Sequence, residues 1–543
     1  RFVCIRVDTD ERPDVNGRYN AGGWPTTAFL TPEGDTIAAS TYLDADQMLD
    51  AGRTVLEAWY VNRDAVTQQV EASRAMRAAE RAAARAQRGP GVLTPAVLDV
   101  ALDVVDRRTD RDHPGLIEDG AIAGTERALL RFPHPEVLRL WRYAHHRRAE
   151  PRVLARAIEV TRAMVGGLHD AAGGGFFRYA TQPDWSAPHV EKLARDQGAM
   201  LLAMAELALS DAGARDALED AVTGTVGFVA GTLGDASGAV FGSQDADEGY
   251  QDATPEERET LDAPAVDRRV FTASAAVAAR GLIAAGIAYD RREWVERGRR
   301  SVDFLIEHLR AGEAGMYHAW DGGARLLGVL DDQAQALLAF LDTYEVSGQA
   351  LYFEHARALA RVIERDWHEP GLGFRDLSHD HEDTALLAEP SFPLPVNVAT
   401  AEGFIALGRL THDGRYLSVA QDTLAAFAHG LEARGLAVAD YARVVDRLLS
   451  AEPEFKVVAE FRAGEPDRVA DPLHARALRM ALAGRTVQRL SPEQDEAIMR
   501  QLGLPSVSKV AYVCAGTACS APVTDPDALE GAIEGILATP SSW

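Results

Sequence analysis

Lysine and cysteine are the scarcest chemistry-bearing residues in this chain of 543 residues. Three cysteines, Cys4, Cys514 and Cys519, are too few for a secreted disulfide framework and favour a reducing cytoplasm. Cys514 and Cys519 have four residues between them and no second pair, so they read as structural thiols rather than a metal site. Lysine occurs only at Lys192, Lys456 and Lys509, leaving Arg to supply nearly all positive charge. A GC-rich genome and a salt-adapted cytoplasm both account for that. The formal charge of -26 and the lack of a basic cluster argue against nucleic acid and an acidic membrane surface as partners. No apolar run approaches the roughly 18 residues of a membrane span, and no secretory signal is visible. The first residue is Arg1 rather than Met, so the chain is expected to lack its true beginning. P-loop, dinucleotide-binding and nucleophile-elbow motifs are absent, and His189-x-Glu191 is not a helical metal spacing. No cofactor and no metal are expected.

What remains is a soluble globular composition, 47% hydrophobic and 25% charged, in a chain too long for one ordinary core. Residues 1–70 read as α/β, with FVCIRVD as a buried strand and two short β segments around the turn Pro32-Glu33-Gly34-Asp35. An Arg- and Ala-rich helical linker over 71–92 has a solvated face and ends at Gly89-Pro90-Gly91. From 93 to 450 helical periodicity dominates. Helix-packing pairs four residues apart return at Val153/Ala157, Ala217/Ala221, Trp294/Gly298, Tyr352/Ala356 and Tyr416/Ala420, at intervals of roughly 60 to 75 residues, the size of a helical hairpin and its loop. Gly-aromatic turns recur with them at Gly174-Gly175-Phe176-Phe177, Gly238-Ala239-Val240-Phe241, Gly315-Met316-Tyr317 and Gly371-Leu372-Gly373-Phe374. About six such hairpins fit, and stacked repeats closing into a ring predict an (α/α)6 toroid, with an open solenoid as the alternative. Residues 451–543 alternate short strands and helices, a small α/β segment.

The stretch Gly173 to Gln197 carries the densest polar and aromatic chemistry. A helix starting near Ser186, with Pro188 in its first turn, would place His189, Lys192 and Asp196 on one face. A histidine beside tuning charges is equipped for general acid/base work. The alternative is a structural network tying loop to helix. The acidic run Ser243 to Glu248 should lie on a loop one hairpin further on. Its carboxylates, Asp245 and Asp247 among them, suit a raised pKa, a cation or a polyol, or are simply solvated. Asp331-Asp332 read as a helix cap, with Asp332 retained as a binding candidate. Asn397 in PLPVNVAT reads as an N-cap and is retained likewise.

FVCIRVDTDERPDVNGRYNAGGWPTTAFLTPEG, FFRYATQPDWSAPHVEKLARDQ, FGSQDADE, LDDQAQALLAFLDTYE and AYVCAGTACSAP, in this order, resemble the thioredoxin-domain family that includes the spermatogenesis-associated thioredoxin-like proteins. The resemblance implies a thioredoxin-like domain ahead of an (α/α)6 toroid similar to N-acylglucosamine 2-epimerases and six-hairpin glycosidases, and a carbohydrate-type cleft. Trp24-Pro25-Thr26 would then be a cis-proline segment. Arg178, Tyr179, Trp185, His189, Glu191 and Asp196 fall on the family's cleft motif, Asp245 and Asp247 on its DAD motif, and Arg131-Phe132-Pro133-His134 on a weaker one. The family's C-x-x-C segment would lie before Arg1, so no dithiol activity attaches to these residues. Ser274-Ala275 stand where the family has Trp-Asn, and Pro395-Val396-Asn397 where it has Ser-Gly-Asn, two apparent losses from the cleft.

Together these readings lead to a cytoplasmic carbohydrate-active enzyme or sugar-binding protein with isomerase- or epimerase-like chemistry. His189, Glu191, Asp245 and Asp247 are the catalytic candidates. Arg178, Tyr179, Trp185, Lys192, Asp196, Arg131, His134, Asp332 and Asn397 are the substrate-binding candidates. A glycoside hydrolase would instead use Asp245 and Asp247, given a carboxyl pair about 5 to 10 Å apart. The alternative from another class is a thioredoxin-like redox or partner-binding module acting on a protein thiol without sugar chemistry.

Overall fold

The computed structural model describes residues 2–87, 91–118, 129–381, 385–459, 472–493, 495–505, 509–516 and 518–537. The expected boundary at Gly89-Pro90 and the last two residues of the FKVVAEF strand lie outside them. The N-terminal unit holds helix α1 (Pro13–Tyr19), the hairpin β1 (Thr27–Leu30) and β2 (Thr36–Ser40), and helices α2 (Ala45–Val61) and α3 (Arg63–Gln87). The hairpin turn falls where Pro32 to Asp35 placed it. Trp24-Pro25 is cis. Helix α3 starts ahead of the anticipated linker and runs through residue 70. The FVCIRVD strand is not formed: the β1–β2 sheet has only two strands, and Val3 and Ile5 are 90% and 78% exposed. Apolar residues form a buried strand only where a neighbour supplies backbone partners, and no described strand does so here.

Twelve helices follow in outer–inner alternation: α4 (Val97–Arg108) and α5 (Pro135–Arg148), α6 (Pro151–Leu168) and α7 (Ala194–Ser210), then α8 (Ala212–Gly231). Two single-turn helices, α9 (Glu248–Gln251) and α10 (Pro255–Arg258), sit in the next loop. The ring continues with α11 (Thr272–Tyr289), α12 (Arg292–Leu309), α13 (Leu330–Ser347), α14 (Ala350–Asp366), α15 (Leu394–Thr411), α16 (Gly414–Ala425) and α17 (Val438–Leu449). The inner helices α5, α7, α11, α13, α15 and α17 each pack on the next, and α17 packs back on α5. That last contact closes an (α/α)6 toroid and excludes the open solenoid. All five sequence-repeat pairs lie on outer helices. Inner helix α11 is apolar and long enough to meet a membrane-span test, but 83% of it is buried in the ring, where an apolar helix is core. It packs tightly on α7: a Cβ added at Gly198 would lie 2.5 Å from Ala278 Cα, and one at Gly281 would lie 2.5 Å from Gly198 O.

The loops entering the inner helices carry short strands: β3 (Tyr179–Ala180), β4 (Pro188–His189), β5 (Lys192–Leu193), β6 (Ser243–Gln244), β7 (Val266–Asp267), β8 (Val270–Phe271), β9 (Tyr317–Trp320), β10 (Ala324–Leu327), β11 (His368–Glu369) and β12 (Gly373–Phe374). Each Gly-aromatic turn bridges back to the end of its outer helix, as in His169 with Phe176, Arg310 with Met316, and His368 with Phe374. A buried amide four residues past the N-cap of the inner helix clamps the turn. Gln197 accepts the Phe176 N–H at 2.6 Å and donates to its carbonyl at 2.8 Å. Gln333 does the same to Met316 at 2.7 and 3.0 Å, and Asn397 to Phe374 at 2.6 and 2.9 Å. Asn397 is therefore neither an N-cap nor a cleft residue; Pro393 is the N-cap. The matching position on α11 is Ala275, 1% exposed. There the turn is held by Arg297 of α12, which donates to Gly238 O at 3.2 Å and Ala239 O at 2.9 Å. Position 275 belongs to this clamp, so the residue found there exchanges one turn clamp for another rather than removing a cleft contact.

After the ring, β13 (Glu454–Val458), helix α18 (Pro472–Arg479), β14 (Thr486–Leu490), helix α19 (Glu496–Gln501), β15 (Val510–Ala515), β16 (Ala518–Cys519) and helix α20 (Leu529–Leu537) form the expected small α/β unit. Its sheet order is β14-β13-β15-β16, with β13 and β14 parallel. Cys514 and Cys519 face each other across the β15–β16 ladder and form a disulfide, where free structural thiols were expected. Cys4 is free and exposed.

Candidate functional site

The N-terminal ends of the inner helices open toward the N-terminal unit, and the Gly173 to Gln197 stretch lies at this mouth. Its local form differs from the expected helix. The strands β3 and β4 pair as a hairpin, Tyr179 opposite His189, and α7 begins only at Ala194. Ser186 caps no helix; its hydroxyl donates to the Asp184 carboxylate at 2.6 Å. Trp185 and Ala187 take positive φ, so the chain reverses here instead of continuing into a helical turn. His189, Lys192 and Asp196 therefore do not share a helix face. The acidic run is a neighbour, as anticipated, because β6 pairs with β5.

On the hairpin, Tyr179 is stacked between Phe132 and His189, with ring centroids 4.8 and 5.0 Å away. Arg178 holds the Glu191 carboxylate at 2.7 Å, and His189 Nε2 lies 3.8 Å from the same carboxylate. The Trp24 ring, from the N-terminal unit, lies 5.7 Å from the Arg178 guanidinium. Asp196, in the first turn of α7, has no carboxylate-pairing partner among the described residues. Burial pushes its carboxyl up to about 6, against the pull of Arg178 and Arg195 and with the push of Glu191 and Glu136. Arg195 is itself bound to Asp331. A carboxyl near 6 beside two guanidiniums exchanges a proton readily near neutral pH.

His134 forms a second charged group at the mouth, with Nε2 and Nδ1 each 2.8 Å from Glu118 and Glu136. Burial works against its charge, but the two carboxylates overcome it and hold the imidazolium up to about 10. Asp331 and Asp332 do not cap α13, whose N-cap Val329 has no side-chain bond. Instead Asp331 pairs with Arg195, while Asp332 accepts the Ala273 N–H at 3.0 Å and faces His318 Nδ1 at 2.8 Å.

Other predicted residues serve the scaffold. Lys192 is 1% exposed and bonded to Asp170 at 2.7 Å, a carboxylate shared with Arg258 at 2.8 Å. Trp185 is 1% exposed, its indole N–H donating to Pro114 O at 2.6 Å. Arg131 is buried, paired with Asp110, and its backbone extends the hairpin through Ala180. Asp247 caps α9 through the Tyr250 N–H, and Asp245 accepts the Ala246 N–H. Both are exposed and bonded within their own loop.

Sequence reasoning missed His318, Asp10 and Arg269. His318 Nε2 donates to the Asp10 carbonyl at 2.6 Å while Nδ1 faces Asp332, so both ring nitrogens carry protons. Burial opposes that charge, yet Asp332 raises the imidazole to about 9. Arg269 spans Asp8, Glu11 and Asp267 at 3.0, 3.1 and 2.6 Å. Through these two residues, and through Arg18 on Asp376, the N-terminal unit is seated on the mouth. Only the DTDE run hinted at this, and its partners lie hundreds of residues away.

Comparison with known proteins agrees with the resemblance read from the motifs. Residues 1–77 match the family model Thioredox_DsbH, described as a protein of unknown function, DUF255. Spermatogenesis-associated protein 20 of Homo sapiens is 30% identical over 227 residues, covering 38% of this chain and 27% of that protein. The uncharacterized protein B0495.5 of Caenorhabditis elegans is 28% identical over 218 residues, 37% of this chain and 28% of that protein. The matched region thus spans about a quarter of the length of these curated relatives. Among solved structures, the cellobiose 2-epimerase from Spirochaeta thermophila DSM 6192 covers 66% of this chain and 100% of its own, at 14% identity and TM-score 0.49. A family 76 glycoside hydrolase from a bovine Bacteroides thetaiotaomicron strain covers 65% of this chain and 78% of its own, at 10% identity and TM-score 0.49. Likenesses this distant carry no functional argument, which rests on the site itself.

Proposed function

We propose that the toroid mouth is the active site of an enzyme that moves a proton on a small polyhydroxylated substrate, in the manner of a sugar isomerase or epimerase. The carrying observation is the charged cluster at the mouth, in which the buried Asp196 carboxyl of the first turn of α7 feels Arg178, paired with Glu191 at 2.7 Å, and Arg195, paired with Asp331. In this reading Asp196 and His189 exchange the proton next to a carbonyl. Arg178 and Arg195 favour the oxygen that becomes negative as that proton leaves. The faces of His189 and Trp24 offer apolar contact to a sugar ring, and the N-terminal unit limits substrate size. The hydrolase version loses its support with the exposed Asp245 and Asp247.

The test is proton NMR of a panel of aldoses, ketoses and N-acyl hexosamines in heavy water with the intact chain. Loss of the signal from a carbon-bound proton next to the carbonyl is the expected result. No exchange in any member, with the protein folded, overturns the isomerase reading.

The match of residues 1–77 to a thioredoxin-type family model favours a second reading, in which the chain binds a protein thiol partner. Cys4 is the only free cysteine among the described residues, so a thiol titration that finds no reactive group beyond it counts against this reading. A cytoplasmic setting rests on cysteine scarcity alone, and the Cys514–Cys519 bridge weighs against it.

A further inference from the structure

Away from the mouth, the middle and C-terminal parts of the inner helices line a half-open cavity of about 180 Å³, bordered by Leu478, Leu482, Gly484 and Arg485 of the C-terminal unit. Six arginines line it against four carboxylates. Most of these charges are paired: Arg139 with Glu206 at 3.0 Å, Arg280 with Asp342 at 2.7 Å, and Arg443 and Arg447 with Glu402 at 2.8 and 2.6 Å. Two arginines have no carboxylate partner among the described residues. Arg142 is 7% exposed and donates from Nε to the Ser210 hydroxyl at 3.0 Å. Arg485 donates to the carbonyls of Ala477 and Leu478 at the end of α18. The fourth carboxylate, Glu345, accepts the Val487 N–H at 3.2 Å and forms no ion pair with an arginine among the described residues.

Asp440 and Glu452 also pair with Arg443 and Arg447, which leaves Arg142 and Arg485 as the cavity arginines outside the ion pairs among the described residues. Burial, with Arg485, Arg139 and Arg443 close by and only Glu206 opposing, brings Arg142 down to about 10. Burial and Asp342 push Glu345 up to about 7 against the pull of Arg485 and Arg447, so its charge offsets Arg485 only in part at neutral pH. Buried guanidiniums without counter-charge are costly, and oxyanions satisfy them through paired N–H donors to two oxygens. The cavity has room for several waters or one small anion.

We propose that this far cavity is a binding site for a small oxyanion, a phosphate group held by Arg142 and Arg485, separate from the mouth. The wall that borders it is keyed to the arginine cluster. Gly484 has φ +63, and a Cβ there would lie 1.5 Å from Glu452 Oε1. Glu452 in turn bonds Arg409 and, at 3.1 Å, Arg447. Anion binding would therefore fasten the C-terminal unit to the ring.

Calorimetry and thermal melts of the intact chain with inorganic phosphate, sulfate and glucose 6-phosphate, against chloride at matched ionic strength, test this. Phosphate is expected to bind with a dissociation constant below about 1 mM and to raise Tm. Arg142→Met should fold with an equal or higher Tm in chloride and bind at least about tenfold more weakly. Arg485→Gln, in a less buried position, should show the same weakening and decides the matter if the first variant does not fold. Saturation by inorganic phosphate identifies the free ion, and response to glucose 6-phosphate alone identifies a phosphorylated metabolite. The proposal is overturned if none of the three anions binds at about 10 mM, or if binding persists undiminished in the folded variants. Proton exchange at the mouth is read separately, so each site fails or stands by itself.

Discussion

The mouth and the far end of the ring draw their charges from different inner helices: α5, α7 and α13 supply acids at the mouth, and α5, α11 and α17 supply arginines at the far end. At the mouth, Glu136, Asp196, Asp331 and Asp332 all occupy first helical turns. At the far end, Arg139, Arg142, Arg280, Arg443 and Arg447 project from farther along their helices into the cavity. Carboxylates are favoured by the partial positive charge of a helix start, whereas Arg139, Arg280 and Arg443 lie inside their helices and are held by ion pairs. Acids at helix starts collect where the long loops enter the inner helices, and arginines collect where the C-terminal unit meets the ring.

The sharpest test of the mouth is Asp196→Asn. If Asp196 is the exchanging group, the substrate proton-exchange rate measured by NMR should fall by about 10²- to 10⁴-fold. The rise of that rate through about pH 6 should vanish with it. An unchanged rate and pH profile would move the chemistry elsewhere.

At the far end the corresponding change is Glu402→Gln. This 6%-exposed carboxylate holds both Arg443 and Arg447, so its loss should cost about 3 to 5 kcal/mol in urea unfolding. A loss within about 1 kcal/mol would mean that the arginines find other partners and that the far end is not held by charge.

The pH dependence of stability should separate the ends. Arg443 and Arg447 hold the Glu402 carboxyl well below its usual range, although burial alone would raise it. Its contribution is present above the unfolded carboxyl range and is lost as pH falls through the lower folded value. His134 has the opposite sign. Its contribution is complete below about 6.5 and is lost as pH rises through about 10. Urea midpoints across pH should therefore show an acid limb removed by Glu402→Gln and an alkaline limb reduced by His134→Gln. If either variant leaves its limb intact, the assignment of that limb is wrong.

The smallest effect concerns the turns that join outer to inner helices. Gln197→Leu leaves the Phe176 N–H and carbonyl without their clamp and should cost about 1 to 3 kcal/mol. Calorimetric melting measures it. Arg297→Met, at the turn where Ala275 replaces the amide, should cost a similar amount, and no loss there would show that this turn needs no clamp.

Local spacing determined the repeat. The pairs on α6, α8, α12, α14 and α16 mark the outer helices because packing residues four apart share a helix face, and the Gly-aromatic turns mark the entries to the inner ones. The stretch holding Arg178, His189, Glu191 and Asp196 was likewise legible as a dense polar run, as was its acidic neighbour. Tertiary structure alone decided that a hairpin, not a helix, carries His189, that Lys192 and Trp185 are buried supports, and that Asn397 clamps a turn. It alone brought Asp10 to His318, 308 residues apart, and Arg142 to the wall that carries Arg485. Periodicity records which face of a helix is buried, whereas ring closure sets which residues from distant helices meet. No local pattern in the chain encodes that meeting.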